Sequence, residues 1–258
     1  MNIVAHRGYS GKYPGNTLVA FDAALRHPEC GKKITGIELD IQLSADNKIV
    51  VFHDNEIEVG GQKRPVSSLT YDELVALEKP KLKGEKICLF EDVLRLVDHR
   101  LELLVEIKEG KYQASILLDL VADLMKWYRP SGSQIILHSF LAEIMRDALI
   151  RFAGQNVKYG ILCGKAEELD KFKDIMSKID YVHPSWTGIL EDPEAFVKTQ
   201  RPFHIWTVNR IEDFDKLMQS PCKDKIRGVM TDELELMCGI ADFRQSLFLP
   251  NLTTARLD

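Results

Sequence analysis

The sequence predicts an α/β fold in which parallel strands, each followed by a helix, close into a barrel. Three observations point there. Short runs rich in Ile and Val alternate with longer stretches of helical periodicity, the pattern of strand-then-helix units on a parallel sheet. Eight such units can be traced. The length of 258 residues suits a single barrel better than a clean count of smaller domains. Hydrophobic residues at 45% and charged residues at 28% supply a large core under a charged surface, which excludes disorder.

Each strand is a short β-branched run: Asn2–Ala5, Ile34–Ile41, Leu101–Ile107, Gln134–Leu137, Val157–Ile161, Tyr181–Val182, His204–Val208 and Gly228–Met230. Helical spacing predicts helices over Thr17–Arg26, Phe90–Val97, Gln113–Trp127, Ala142–Phe152, Ala166–Met176, Glu194–Thr199, Asp213–Gln219 and Glu233–Phe243. Pro184 and Pro193 compress the unit around the sixth strand. One segment breaks the rhythm after the second strand. Lys48–Phe52 reads as an extra strand, Gly60-Gly61 and Lys79–Gly84 mark turns, and Leu69–Leu77 reads as a short helix capped by Ser68 or Thr70. The expected organisation is one barrel domain over 1–246 with 54–84 as a small inserted subdomain, and 247–258 as a tail.

A net charge of −5 and a pI near 5.9 argue against a broad nucleic-acid or anionic-membrane surface. An anionic substrate in a local positive pocket remains compatible with them. The five cysteines are scattered without C-x-x-C spacing, which fits a reducing compartment. No apolar stretch approaches the ~20 residues of a membrane span, and the first residues enter an apolar strand without a basic leader. The expectation is a cytoplasmic protein with no stable membrane anchor, compatible with a homo-oligomer.

Chemistry-bearing residues gather at the predicted strand ends. His6-Arg7-Gly8 follows the first strand. Glu38 and Asp40 are two apart on the second, so both point to one face, and Glu106 and Lys108 repeat that spacing on the third. His53 follows the extra strand. Carboxyl ends of barrel strands converge on one mouth. There Glu38, Asp40 and Glu106 suit a hard divalent cation, Mg2+ or Ca2+. His6 and His53 suit general acid and base work, because an ordinary imidazole titrates near neutrality. Arg7 suits bidentate grip on phosphate oxygens, and Lys108 supplies a point charge. Of the remaining histidines, His27, His99 and His204 read as structural or solvated, while His138 and His183 end strands and can reach the mouth. Phe140, Tyr181 and Trp186 are candidate lining residues.

In order along the chain, His6-Arg7-Gly8, Pro14-Gly15-Asn16-Thr17, Glu38-Leu39-Asp40, His53-Asp54, Glu106-Ile107-Lys108, Ser139-Phe140, Trp206-Thr207-Val208-Asn209 and Gly228-Val229-Met230-Thr231-Asp232 resemble the glycerophosphodiester phosphodiesterase family. The resemblance spans almost the whole chain. It implies a TIM (β/α)8 barrel with an insert after the second strand, and metal-dependent hydrolysis of glycerophosphodiesters to sn-glycerol 3-phosphate and an alcohol. It further implies His6 and His53 as the catalytic pair, Glu38, Asp40 and Glu106 as metal ligands, Arg7 and Lys108 as phosphate contacts, and Trp206 as a pocket aromatic. The chain departs from the family at Gly15, where Glu is usual, and at Leu89-Phe90-Glu91-Asp92, where Thr-Leu-Glu-Glu is usual.

Two other readings differ in testable ways. The same residues would serve a lysophospholipase D-like phosphodiesterase, which needs an apolar groove; the charged segment Asn55–Gly84 disfavours one. A non-catalytic phosphodiester-binding barrel would have no need of an acid–base pair.

Overall fold

A computed structural model describes residues 1–77, 82–108, 111–128 and 135–240. The expected tail at 247–258, the end of the last expected helix (241–243), the Gln134 start of the fourth expected strand and residues 79–81 of the expected break lie outside the described residues.

Eight parallel strands form a closed ring: β1 (Asn2–His6), β2 (Ile34–Leu43), β7 (Glu102–Ile107), β8 (Ile135–Ser139), β9 (Val157–Cys163), β10 (Tyr181–Pro184), β11 (Phe203–Ile205) and β12 (Ile226–Thr231). The ring closes because β1 pairs with both β12 and β2. Helices α1 (Leu18–Leu25), α3 (Phe90–Val97), α4 (Lys111–Trp127), α5 (Ala142–Arg151), α6 (Trp186–Glu191), α7 (Pro193–Lys198) and α8 (Ile211–Gln219) surround it, and a further helix starts at 234. This is the TIM barrel.

Local chemistry explains several boundaries. Thr17 caps α1 by accepting from the Ala20 amide, and Asp192 caps α7 ahead of Pro193 at its first turn. Gly188 sits inside α6 because a Cβ there would stand 1.8 Å from the Gly164 carbonyl oxygen. The helix expected over Ala166–Met176 is instead 3₁₀, at Ala166–Phe172 and Met176–Lys178. Its apolar residues Leu169, Phe172 and Ile175 are spaced by three, the period of a 3₁₀ helix, and all three are buried.

After β2 the chain leaves the ring at Ser44 and returns at Leu89. Strand β3 (Ile49–Val51) pairs antiparallel with the end of β2, and β6 (Cys88–Leu89) pairs with β3. Between them lie the hairpin β4 (Glu56–Val59) and β5 (Gln62–Pro65), turning at Gly60-Gly61, and helix α2 (Tyr71–Ala76), capped by Thr70 with Glu73 in a capping box. This excursion has its own small core of Val50, Phe52, Ile57, Val66, Leu69, Leu74, Leu82 and Ile87.

The main core lies between ring and helices, with Phe21, Phe90, Phe152, Phe172 and Phe196 fully buried. Val4, Leu104, Ile136 and Met230 form a separate cluster. Each stands two residues before His6, Glu106, His138 or Asp232. The period of two along a strand therefore makes this cluster an apolar layer beneath a polar one.

Candidate active site

Strand register assembles the site. Pairing sets His6 of β1 beside Glu38 of β2, Asp40 beside Glu106 of β7, and Glu106 beside His138 of β8. The carboxylates of Glu38, Asp40 and Glu106 are buried, and ligand atoms from all three lie within 4.8 Å of one another. His6, Arg7, Glu38, His53, Glu106, Lys108 and Trp206 line one cavity, together with His138 and Phe140. Trp206 meets Phe140 edge to face at 5.6 Å and donates from Nε1 to the His183 carbonyl at 2.7 Å.

Two cations hold the acidic cluster together. Arg7 Nε lies 3.3 Å from Asp40 Oδ2, while Lys108 Nζ lies 3.4 Å from Asp40 Oδ1 and 3.0 Å from Glu106 Oε1. Arg7 adopts a left-handed backbone (φ 57°), and its amide donates to Glu38 Oε2 at 3.1 Å. Asn16 bridges the loop to the cluster, donating from Nδ2 to Asp40 Oδ2 at 2.7 Å. Gly15 packs so closely that a Cβ would come within 3.1 Å of Arg7 Cβ and 3.2 Å of Ser10 Cβ.

The electrostatics follow from crowding. Burial, reinforced by Asp40, pushes Glu38 well above the usual carboxylate range and Glu106 up to about 8. Burial also acts upward on Asp40, but Arg7, Lys108 and His53 outweigh it and hold the group at about 2. Burial acts downward on Lys108, but Glu106 and Asp40 outweigh it and raise the ammonium above its ordinary value. Three carboxylates face two cationic side chains, and Asp40 Oδ1 is buried without a hydrogen bond. Three clustered carboxylates, one of whose buried oxygens makes no hydrogen bond, are the hard oxygen donors that fit a divalent cation.

Both histidines are anchored at Nδ1 by a carboxylate. His6 Nδ1 lies 2.7 Å from Asp232 Oδ1, and His53 Nδ1 lies 2.9 Å from Asp54 Oδ1. Asp232 in turn accepts from Ser10 Oγ (2.6 Å) and Asn209 Nδ2 (2.6 Å). Such anchoring places the proton on Nδ1 and turns Nε2 toward the cavity. Burial lowers His53 below an ordinary imidazole, against the pull of Asp40 and Asp54.

Asp232, Asn209, Ser10 and Asn16 are site residues that no local spacing singles out. The motif runs contain all but Ser10, but the pairing of His6 with a residue 226 positions away is tertiary. Other expectations resolve elsewhere. His99 stacks on Tyr128 at 4.2 Å, His27 meets the Tyr9 ring edge on, and Tyr181 packs 4.9 Å from the His204 ring. Trp186 sits under the Lys216 ammonium and is not among the residues lining the cavity. Among the described residues, no helix is long and apolar enough to cross a membrane.

The profile of the glycerophosphoryl diester phosphodiesterase family matches residues 6–236. A glycerophosphodiester phosphodiesterase of Caldanaerobacter subterraneus subsp. tengcongensis is 28% identical over 248 residues, covering 92% of this chain and 96% of that one. The solved glycerophosphodiester phosphodiesterase of Thermotoga maritima superposes with a TM-score of 0.67 at 28% identity, over 92% of this chain and 97% of that one. A phosphodiesterase of Oleispira antarctica superposes with a TM-score of 0.77 at 18% identity, over 94% and 97%. Fold and matches together define a phosphoric diester hydrolase built on a TIM barrel. The chain belongs to the glycerophosphoryl diester phosphodiesterase family.

Proposed function

We propose that this chain hydrolyses glycerophosphodiesters to sn-glycerol 3-phosphate and an alcohol, with His6 and His53 as the acid–base pair. The observation that carries this reading is the convergence of two carboxylate-anchored histidines on a buried three-carboxylate cluster flanked by Arg7 and Lys108. The product sn-glycerol-3-phosphate bound in the Oleispira antarctica phosphodiesterase supports the substrate class. Glu38, Asp40 and Glu106 would hold Mg2+ or Ca2+, which when bound polarises the phosphoryl group and neutralises charge in the transition state.

The chain's own residues supply the rest. Arg7 and Lys108 bind the phosphate oxygens and offset the acidic cluster. Asp232 and Asp54 orient the two imidazoles so that each Nε2 faces the scissile phosphodiester. One imidazole enters neutral and accepts the proton of the attacking oxygen at Nε2. The other enters as the imidazolium, carrying a second proton on Nε2 that it gives to the departing alkoxide; proton exchange with water then restores both. Trp206 and Phe140 shield one wall of the cavity. The working unit in this reading is a barrel domain at 1–246 with 54–84 inserted, acting in the cytoplasm on a small substrate.

The test is release of glycerol 3-phosphate from a panel of glycerophosphodiesters, with lysophosphatidylcholine as a further substrate. Release that EDTA abolishes and added Mg2+ or Ca2+ restores is the expected result. No release from any substrate with any cation refutes the reading.

A further inference from the structure

The strand that carries Glu38 and Asp40 also reaches His53. Strand β2 pairs with β7 as far as Ile41 and then runs on to Leu43. There β3 doubles back along it, with Val50 opposite Gln42 and Val51 opposite Ile41. The Phe52 amide donates to the Asp40 carbonyl at 3.0 Å. His53 follows in a bend that belongs to neither β3 nor β4.

Gln42 grips this bend from the barrel side. It is 3% exposed, and its Nε2 donates to the Phe52 carbonyl at 2.7 Å and to the Asp54 carbonyl at 3.1 Å. Those are the carbonyls of the residues on either side of His53. A carboxamide nitrogen carries two protons, so one Nε2 serves both bonds. The orientation of the amide is fixed as well, because carbonyl oxygens only accept and must face the nitrogen. Gln42 stands two residues beyond Asp40, on the face of β2 that carries both carboxylates.

The bond between His53 Nδ1 and Asp54 does something different. Its partners are adjacent residues, so it orients the imidazole relative to its own turn. It does not hold the turn against the carboxylates. The Phe52 amide and the two Gln42 bonds do so, since each ties the turn to β2. Placement on this scale decides the rate of proton transfer: a displacement of about 1 Å can cost about 100-fold.

We propose that Gln42 is a positioning residue: by holding the Phe52 and Asp54 carbonyls, it sets His53 Nε2 against the phosphodiester. It acts through His53 and touches no substrate. Its part in the reaction rests on the function proposed above, whereas the hold on the His53 turn stands without it.

The test is a double-mutant cycle on the full chain, with the best substrate of the panel above. Gln42→Met keeps the length of the side chain and removes both donors. It should lower kcat about 10- to 100-fold and change KM less than about threefold. On a His53→Ala background the same replacement should lower kcat less than about twofold, because no imidazole is left to misplace. In 15N-histidine spectra, Gln42→Met should shift the His53 ring signals and leave those of His6 in place. Calorimetric Mg2+ or Ca2+ affinity should hold, whereas a support of Asp40 would cost about 10- to 100-fold there. Unaltered turnover and spectra in a folded Gln42→Met protein overturn the proposal. So do equal losses on both backgrounds, or a loss of cation affinity with His53 unmoved. The unaltered chain offers a check that needs no folded variant. Both Gln42 Nε2 protons should exchange with solvent more slowly than those of free glutamine, and rapid exchange of both refutes the hold. Failure of the unaltered chain to turn over any glycerophosphodiester refutes the functional reading and, with it, the part in the reaction.

Discussion

His6 and His53 face one cavity, yet the chain holds them in unlike ways. His6 ends a barrel strand, its side chain is 15% exposed, and its carboxylate partner Asp232 is braced by Ser10 and Asn209. His53 lies in the excursion that leaves the ring after β2. Its side chain is 39% exposed, and its partner is the adjacent Asp54, itself 38% exposed. One imidazole is fixed by the barrel through residues from the opposite end of the chain. The other is fixed by its immediate neighbour and by the small core of the excursion, which includes Phe52. The same chemical unit, histidine plus carboxylate, is thus built once from long-range packing and once from local sequence. The lesson is that the two halves of the acid–base pair should tolerate damage to their supports differently.

The largest expected effects ignore that difference. His6→Ala and His53→Ala each remove a proton carrier, so each should lower kcat by about 10²–10⁴-fold with folding unchanged by circular dichroism. Unchanged turnover in either protein would remove that histidine from the reaction.

The next effects should separate the pair. Asp232→Asn keeps the shape but loses the charge that anchors His6, and the Ser10 hydroxyl and Asn209 amide lose a carboxylate acceptor. A drop of about 10- to 100-fold in kcat/KM is expected, the scale for losing a partner behind a working histidine. Asp54→Asn acts at an exposed site where water can replace the lost partner, so less than about tenfold is expected. Equal losses would show that the barrel bracing of His6 carries no extra weight.

The smallest effect concerns the carboxylates between the two histidines, read as a melting temperature. Glu106 is raised in the folded chain to about 8 from an ordinary 4.5, and Glu38 is raised in the same direction. A group raised on folding stabilises below its unfolded value and loses that contribution as pH climbs through the folded one. Without cation, the folded chain should therefore lose stability between pH 4.5 and about 8. A divalent cation replaces the proton, so the melting-temperature gain from Mg2+ or Ca2+ should be larger at pH 8.5 than at pH 6. At a hundredfold excess over Kd the gain corresponds to about 2.7 kcal/mol. A gain that shrinks with rising pH would contradict the assignment of the cation to these groups.

Legibility in the sequence follows the same division. The period of two on a strand put Glu38 with Asp40 and Glu106 with Lys108 on common faces, and both pairs meet at the mouth. The eight β-branched runs marked all eight ring strands, and a cap at Ser68 or Thr70 marked α2, which the structure places at Thr70. Three features resisted. The 3₁₀ turns at Ala166–Phe172 looked helical because a spacing of three resembles 3.6 over two turns. Helix α6 was hidden by its brevity and by Gly188, whose reason is a carbonyl 24 positions earlier in the chain. Above all, the contact of His138 with His183, 2.8 Å between their Nδ1 atoms, could not be read, because the two residues lie on separate strands.

The sequence by itself determined the barrel and the residue types at its mouth, because periodicity and motif order are properties of neighbours along the chain. Tertiary structure decided which groups touch. Ring closure set β12 against β1 and so delivered Asp232 to His6. Parallel register aligned Asp40, Glu106 and His138 across three strands. Burial then moved Glu38 and Glu106 up while two neighbouring cations held Asp40 down. Charge and desolvation depend on distances across the fold, and no spacing along the chain encodes them.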